Sequence, residues 1–270
     1  KDEHSEAFAE AIQGINTVII DEVHMAKADV LKRLLTGPFA HCGIRWGLTG
    51  TVPKADYEFM GLKCSIGDVT HRIQASELQD KGVLANCHVN VLQTQDHPMF
   101  KTYAEELKWL TTDKVRMAWV AKTIKDISTS GNTLILVDRI SAGQILQEQL
   151  EDSVFVSGST KNVDRKEQYD EVSTATNKII IATYGVASVG INIPRIFNLV
   201  LIEPGKSFVR VIQSIGRGIR KAEDKENVQI WDITSSCKFA KRHLGARKKF
   251  YKEANYPYNI EKVNYENPYT

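Results

Sequence analysis

Apolar residues in this 270-residue chain gather in short runs, several of them unbroken, and each run stops at a polar or charged residue. Thr17-Val18-Ile19-Ile20 runs into Asp21-Glu22-Val23-His24. Residues 43–48 run into Thr49-Gly50-Thr51-Val52-Pro53. Further runs cover 89–92, 133–137 (ending at Asp138), 154–156 (ending at Ser157-Gly158), 178–182 (ending at Thr183), 198–202 (ending at Glu203) and 228–231 (ending at Asp232). Continuous runs of this length predict strands buried on both faces, as in a parallel sheet. Helical spacing fills the gaps. It predicts helices over 5–13, 28–36, most of 99–129, 142–150, 165–171, 208–221 and 237–254. A short helix opens at Ser76-Glu77-Leu78 and ends at Gly82; the rest of 54–92 gives no clear pattern apart from the strand at 89–92.

Strands alternating with helices predict an α/β fold with parallel sheets. The polar stretch Gln93-Thr94-Gln95-Asp96 marks an expected boundary. The expected units are 1–92, 93–235 and a basic helical tail, 236–270.

Composition adds little about the fold and more about partners. A hydrophobic fraction of 42% and a charged fraction of 25% are ordinary for a globular chain. Net charge is only +2, but it is uneven. From Lys206 onward there are 14 Lys and Arg against 7 Asp and Glu, a net +7, which leaves −5 for residues 1–205. A basic C-terminal part is compatible with a polyanion partner, or simply with a solvated helix. The four cysteines (Cys42, Cys64, Cys87, Cys237) form no Cys-x-x-Cys pair, which argues against a zinc site or a disulfide framework. A reducing compartment, the cytoplasm, is expected. No apolar stretch approaches the roughly 18 residues that span a bilayer, so no membrane partner is expected, and no secretory leader is recognisable.

Three stretches carry candidate chemistry. Asp21 and Glu22 fall at a strand's C-terminal end, where open α/β sheets bind ligands. Such a pair can hold Mg²⁺ through water and orient an attacking water, although an acidic turn would read the same way. The loop 182–194, Ala-Thr-Tyr-Gly-Val-Ala-Ser-Val-Gly-Ile-Asn-Ile-Pro, is rich in small residues and backbone amides that suit phosphates. In Gln213-Ser214-Ile215-Gly216-Arg217-Gly218-Ile219-Arg220 the two arginines lie three apart, on one helix face, a pattern that suits a γ-phosphate.

Taken together, these stretches resemble the motifs of superfamily 2 helicases. Asp21–His24 resembles the Walker B motif and Thr49-Gly50-Thr51 the third motif. Residues 133–139 and 156–165 resemble motifs four and four-a, 183–194 motif five, and 213–220 motif six. The order is that of the superfamily, and the match looks most like phage helicases of the UvsW type, which remodel branched DNA. The resemblance implies RecA-like parallel sheets, with part of lobe one and a complete lobe two, and ATP and Mg²⁺ as cofactors. It implies that Asp21 holds the metal, Glu22 activates water, and His24, Thr49 and Thr51 couple nucleotide state to motion. Gln213, Arg217 and Arg220 would reach the γ-phosphate, and Gly190 and Asn192 the ribose or phosphate edge. Thr183, Gly158 and Arg165 would lie near the nucleic-acid backbone, with Lys248 and Lys249 contributing from the basic tail. The implied partner is DNA, branched or partly single-stranded. If the chain is phage-encoded, it would act in the host cytoplasm.

The match has gaps. No P-loop precedes Asp21, so an upstream lobe-one segment of the same protein is an expected partner, without which ATP binding should be poor. Pro204-Gly205-Lys206-Ser207 has the right context for a P-loop, but Val200 stands where its first glycine would be. Asn192 replaces the aspartate of many relatives. Two other readings remain at this stage: a nucleic-acid-binding module with a lost ATPase, and an RNA helicase or restriction-type translocase of the same fold.

Overall fold

The computed structural model describes residues 2–25, 28–50, 52, 56–158, 175–190, 195–206 and 227–266. The chain divides into two compact units, Lys1–Arg72 and Ile73–Thr270.

The first unit contains α1 (Asp2–Ile12), β1 (Thr17–Ile20), a 3-10 turn at Val23–Met25, α2 (Ala28–Thr36), β2 (Ile44–Gly47) and α3 (Asp56–Ser65). β1 and β2 pair in parallel, with Ile19 opposite Trp46. Val18, Ile20 and Val23 pack against Leu31, Leu35, Leu62 and Ile66. Gly47 suits this packing, since a Cβ there would lie a tight 3.1 Å from the Val23 side chain. Ile19, Ile44, Trp46 and Leu48 are 60%, 50%, 60% and 49% exposed, so much apolar surface on this strand pair stays open to solvent.

The second unit contains α4 (Ala75–Asp80), β3 (Asn86–Thr94), α5 (Tyr103–Thr112), α6 (Lys114–Ser128), β4 (Thr133–Val137), α7 (Ile140–Gln149), β5 (Val154–Val156), β6 (Ile179–Thr183), α8 (Tyr184–Gly190), β7 (Asn198–Ile202), β8 (Asn227–Ser235), α9 (Lys238–Glu253) and β9 (Tyr258–Val263). Its seven strands form one parallel sheet in the order β5-β6-β4-β7-β8-β3-β9. All five residues of β4 and all five of β7 are buried, which explains their unbroken apolar sequences. Successive side chains point to opposite faces. Leu134, Leu136, Leu199 and Leu201 face Tyr184, Leu244 and Tyr251 of α8 and α9. Ile135, Val137, Val200 and Ile202 face Met117, Val120, Ile124 and Leu146 of α6 and α7. Each such side chain contributes roughly 1.5–3 kcal/mol when fully buried. At Gly143 of α7 an added Cβ would lie 2.4 Å from the Phe155 ring, so only glycine lets α7 lie this close to β5.

Local caps set the helix starts. Thr102 and Glu105 form a reciprocal capping box at α5, and the Asp113 carboxylate accepts from Arg116 N at 2.9 Å at α6.

Three expectations change. The boundary falls at Arg72/Ile73 and not at 92, because β3 pairs with β8 and β9. The basic tail is no appendage: α9 packs on the sheet and β9 extends it, so 236–270 belongs to the second unit. α3 and β9 went unpredicted. α2 has the predicted bounds, and α9 differs by one residue at each end. The helices expected over 165–171 and 208–221 lie outside the described residues.

Candidate nucleotide and nucleic-acid sites

In the first unit, β1 delivers Asp21 and Glu22 to its C-terminal end. The turn is tight: Glu22 has φ 48°, and its N–H donates to Asp21 Oδ1 at 2.8 Å. A left-handed backbone at a glutamate is strained, and such strain concentrates at functional positions. Backbone bonds from Leu48 N to Ile20 O (2.8 Å) and from Val23 N to Leu48 O (3.0 Å) hold the two strand ends together past the ladder.

That pairing brings His24 to Thr49. Nδ1 of His24 lies 2.6 Å from Thr49 Oγ1 and 3.3 Å from Glu22 Oε2. The His24 side chain is 7% exposed while that of Glu22 is 47% exposed. Nε2 of His24 is buried and has no hydrogen-bond partner among the described residues. An unmet buried polar atom costs about 1–3 kcal/mol, so this ring nitrogen opposes stability where it stands. Asp21, Glu22, His24 and Thr49 therefore form one connected group; Thr51 lies outside the described residues. Asp21 and Glu22 offer the exposed, hard oxygen donors that Mg²⁺ takes in ones and twos beside phosphates.

In the second unit, the strand order places β5, β6 and β4 side by side. Thr183 ends β6, and Gly158 and Asp138-Arg139 follow the C-terminal ends of β5 and β4, so parallel pairing gathers stretches distant in sequence at the C-terminal end of the sheet. Thr183 Oγ1 accepts from Val186 N at 3.5 Å and helps to start α8, at whose last position Gly190 stands. Gly158 and Gly185 are exposed, with open space where a Cβ would be. A phosphate could reach the backbone at either one. Lys248 and Lys249 lie on α9, away from its buried residues. Arg165, Asn192, Gln213, Arg217 and Arg220 lie outside the described residues.

Sequence reasoning missed a set of buried charges at the same end. Asp232, at 0% exposure, takes both Arg247 Nε (2.8 Å) and Nη2 (2.9 Å), and accepts from Tyr251 OH at 2.8 Å. Arg247 Nη1 also donates to Gly205 O at 2.7 Å. Alongside, Arg116 Nη2 donates to Glu203 Oε1 at 2.7 Å, and Arg116 Nε lies 3.5 Å from Asp96 Oδ2. Asp96 accepts from Thr94, Ser235 and Tyr265 hydroxyls. Burial pushes the Glu203 carboxyl up to about 7, although Arg116 and Arg247 pull against it. Burial also acts upward on Asp96, but the Arg116 guanidinium and the three hydroxyls outweigh it and hold that carboxyl below its ordinary value. The available signal was Glu203, which follows the apolar β7, and Asp232, which stands after Ile230 and Trp231 within β8, since a buried carboxylate needs a cation.

Comparison with known proteins bears on both units. Residues 116–222 match the helicase conserved C-terminal domain family. The ATP-dependent DNA helicase uvsW of Enterobacteria phage T4 is 26% identical over 241 residues, which cover 85% of this chain and 48% of that protein. The crystal structure of T4 UvsW shares the fold, with a TM-score of 0.58 at 21% identity over 96% of this chain and 57% of that one. The Mycobacterium smegmatis helicase Lhr, bound to ssDNA and AMP-PNP, gives a TM-score of 0.60 at 15% identity over 93% of this chain and 33% of that one. The chain spans about half the length, or less, of the curated relatives that it matches over most of its own length. Residues 116–222 thus carry the match to the helicase conserved C-terminal domain, and over most of its length the chain is similar in sequence and in fold to the UvsW helicase of phage T4.

Proposed function

We propose that this chain is part of an ATP-dependent DNA helicase or translocase that remodels branched DNA, by branch migration or by unwinding forks and R-loops. The observation that carries the reading is the connected group Asp21, Glu22, His24 and Thr49. It joins a nucleotide-type carboxylate pair to a neighbouring strand end through a 2.6 Å contact. A plain acidic turn has no need of a buried histidine at its back.

In this reading Asp21 holds Mg²⁺ through water, and the ion, when bound with ATP, neutralises charge on the phosphates. Glu22 orients and deprotonates the attacking water. His24 Nδ1, close to both Thr49 and Glu22, lets the carboxylate and the Thr49 loop report on each other, and Thr51 is assigned the same coupling role. Gln213, Arg217 and Arg220 stabilise charge developing on the γ-phosphate, and Gly190 and Asn192 approach the ribose or phosphate edge. Thr183, Gly158 and Arg165 grip the DNA backbone. The P-loop is supplied by an upstream lobe-one segment. The half-exposed Ile19, Ile44, Trp46 and Leu48 support that part of the reading, because parallel sheets are ordinarily covered on both faces.

The test is strand displacement on a forked DNA by a chain that also carries a lobe-one segment with a P-loop. ATP should drive displacement and a non-hydrolysable analogue should not. Tight DNA binding with no ATP-dependent displacement or translocation would overturn the reading in favour of a binding module.

A further inference from the structure

We infer that the outer face of α9 is a docking surface for the phosphate backbone of duplex DNA. The inference rests on the reading of the chain as a DNA motor for the identity of its polyanion. Its geometry comes from α9 alone.

Six basic residues, Lys238, Lys241, Arg242, Lys248, Lys249 and Lys252, recur along the sixteen residues of α9. At 3.6 residues per turn they fall within about a third of the circumference, and the row is roughly 21 Å long. Five of the six are exposed and Lys248 is half-buried. No described carboxylate forms an ion pair with any of them. Gly245 stands in the middle of the row, with open space where a side chain would begin, so a backbone can approach the helix surface there.

The opposite face is held rigidly. Ala240, His243, Leu244, Arg247 and Tyr251 are buried, and Arg247 is locked to Asp232 and Gly205. Glu106 accepts from the Phe239 and Ala240 amides at 3.0 and 2.6 Å, which satisfies the start of the helix and its dipole. The row is therefore set in place before any ligand arrives.

The row carries no aromatic platform of its own. Phe239 lies to one side, half-buried, with Lys238 and Arg242 over its ring at 5.4 and 5.3 Å. Surfaces for single strands combine charge with stacked aromatics, whereas a rigid row of cations alone matches the regular phosphates of a duplex.

The test measures binding of the whole chain to a short blunt duplex and to its single strand, without nucleotide, across a salt series. The variant Lys241→Ala/Lys249→Ala/Lys252→Ala removes three charges and keeps helix-forming residues. The slope of log K against log salt on the duplex should fall by about 2.7, at ~0.9 per lost phosphate contact. Lys→Arg at the same three positions should restore it. An unchanged slope, or a larger loss on the single strand than on the duplex, would overturn the inference. No ATP enters the measurement, so failure here leaves the motor reading standing. Absence of ATP-driven displacement would in turn leave this binding surface standing.

Discussion

His24 Nδ1 lies 2.6 Å from Thr49 Oγ1, and this contact ties the residues after β1 to those after β2. Thr49→Val keeps the shape and removes the hydroxyl. It should cost about 1 kcal/mol of stability and, in a chain that also carries the P-loop segment, lower DNA-stimulated ATP hydrolysis about tenfold with ATP affinity unchanged. Urea unfolding and hydrolysis assays with and without DNA would read both effects. Full DNA stimulation in the variant would remove this contact from the coupling path.

Arg247 is buried against Asp232, so removing it strands a carboxylate in the core. Arg247→Ala should destabilise the second unit by about 3–5 kcal/mol. Lys249→Ala, on the solvent face of the same helix, should change it by less than about 0.5 kcal/mol. Denaturant midpoints of the two variants would show the contrast. Equal effects would mean that the buried pair contributes no more than a surface charge.

Glu203 gives stability a pH dependence. Burial raises its carboxyl to about 7 from an ordinary 4.5, so the folded chain holds a proton there that the unfolded chain has lost. Its contribution should therefore be intact below about pH 4.5 and decline as pH rises through 7, by about 3 kcal/mol at most. His243 works in the opposite direction: burial, with Arg247, Arg242 and Lys206 nearby, lowers it to about 4, so stability is lost as pH falls from 6.5 to 4. The difference between the parent and Glu203→Gln isolates the carboxyl. That difference should shift in favour of Glu203→Gln between pH 5 and 7.5, read by thermal unfolding; a flat difference would contradict the raised value.

Trp46 is 60% exposed, and the chain's other tryptophans are half-buried. A soluble quencher should therefore reach Trp46 first, and Trp46→Phe should remove most of the quenchable emission. Adding a lobe-one segment that covers this strand pair should protect Trp46. Quenching unaffected by the segment would mean that the apolar surface is not its seat.

Most of the fold was legible because the strands are buried on both faces, which forces unbroken apolar runs such as those of β4 and β7. β9 was not legible, because it is an edge strand whose Asn259, Glu261 and Lys262 face water. α3 was obscured by exposed Tyr57 and Met60, which break the expected stripe. The domain boundary was misplaced because β3 begins with polar residues, Asn86, His88 and Asn90, that alternate with buried ones, and its partners β8 and β9 lie far along the chain. At the candidate site, Asp21 and Glu22 were readable from their place after a strand. The resemblance gave His24 and Thr49 a shared coupling role, and the contact between them is seen only in the structure. Arg247 read as one more surface cation, since sequence does not tell a solvated arginine from one locked to Asp232.

The most direct measurement is ATP hydrolysis, with and without branched DNA, by a chain that also carries a P-loop segment, compared with its Glu22→Gln variant. The account predicts hydrolysis stimulated by branched DNA. It also predicts that Glu22→Gln lowers turnover by about 10²–10⁴-fold while leaving ATP binding in place. Hydrolysis that ignores both DNA and Glu22 would contradict the account.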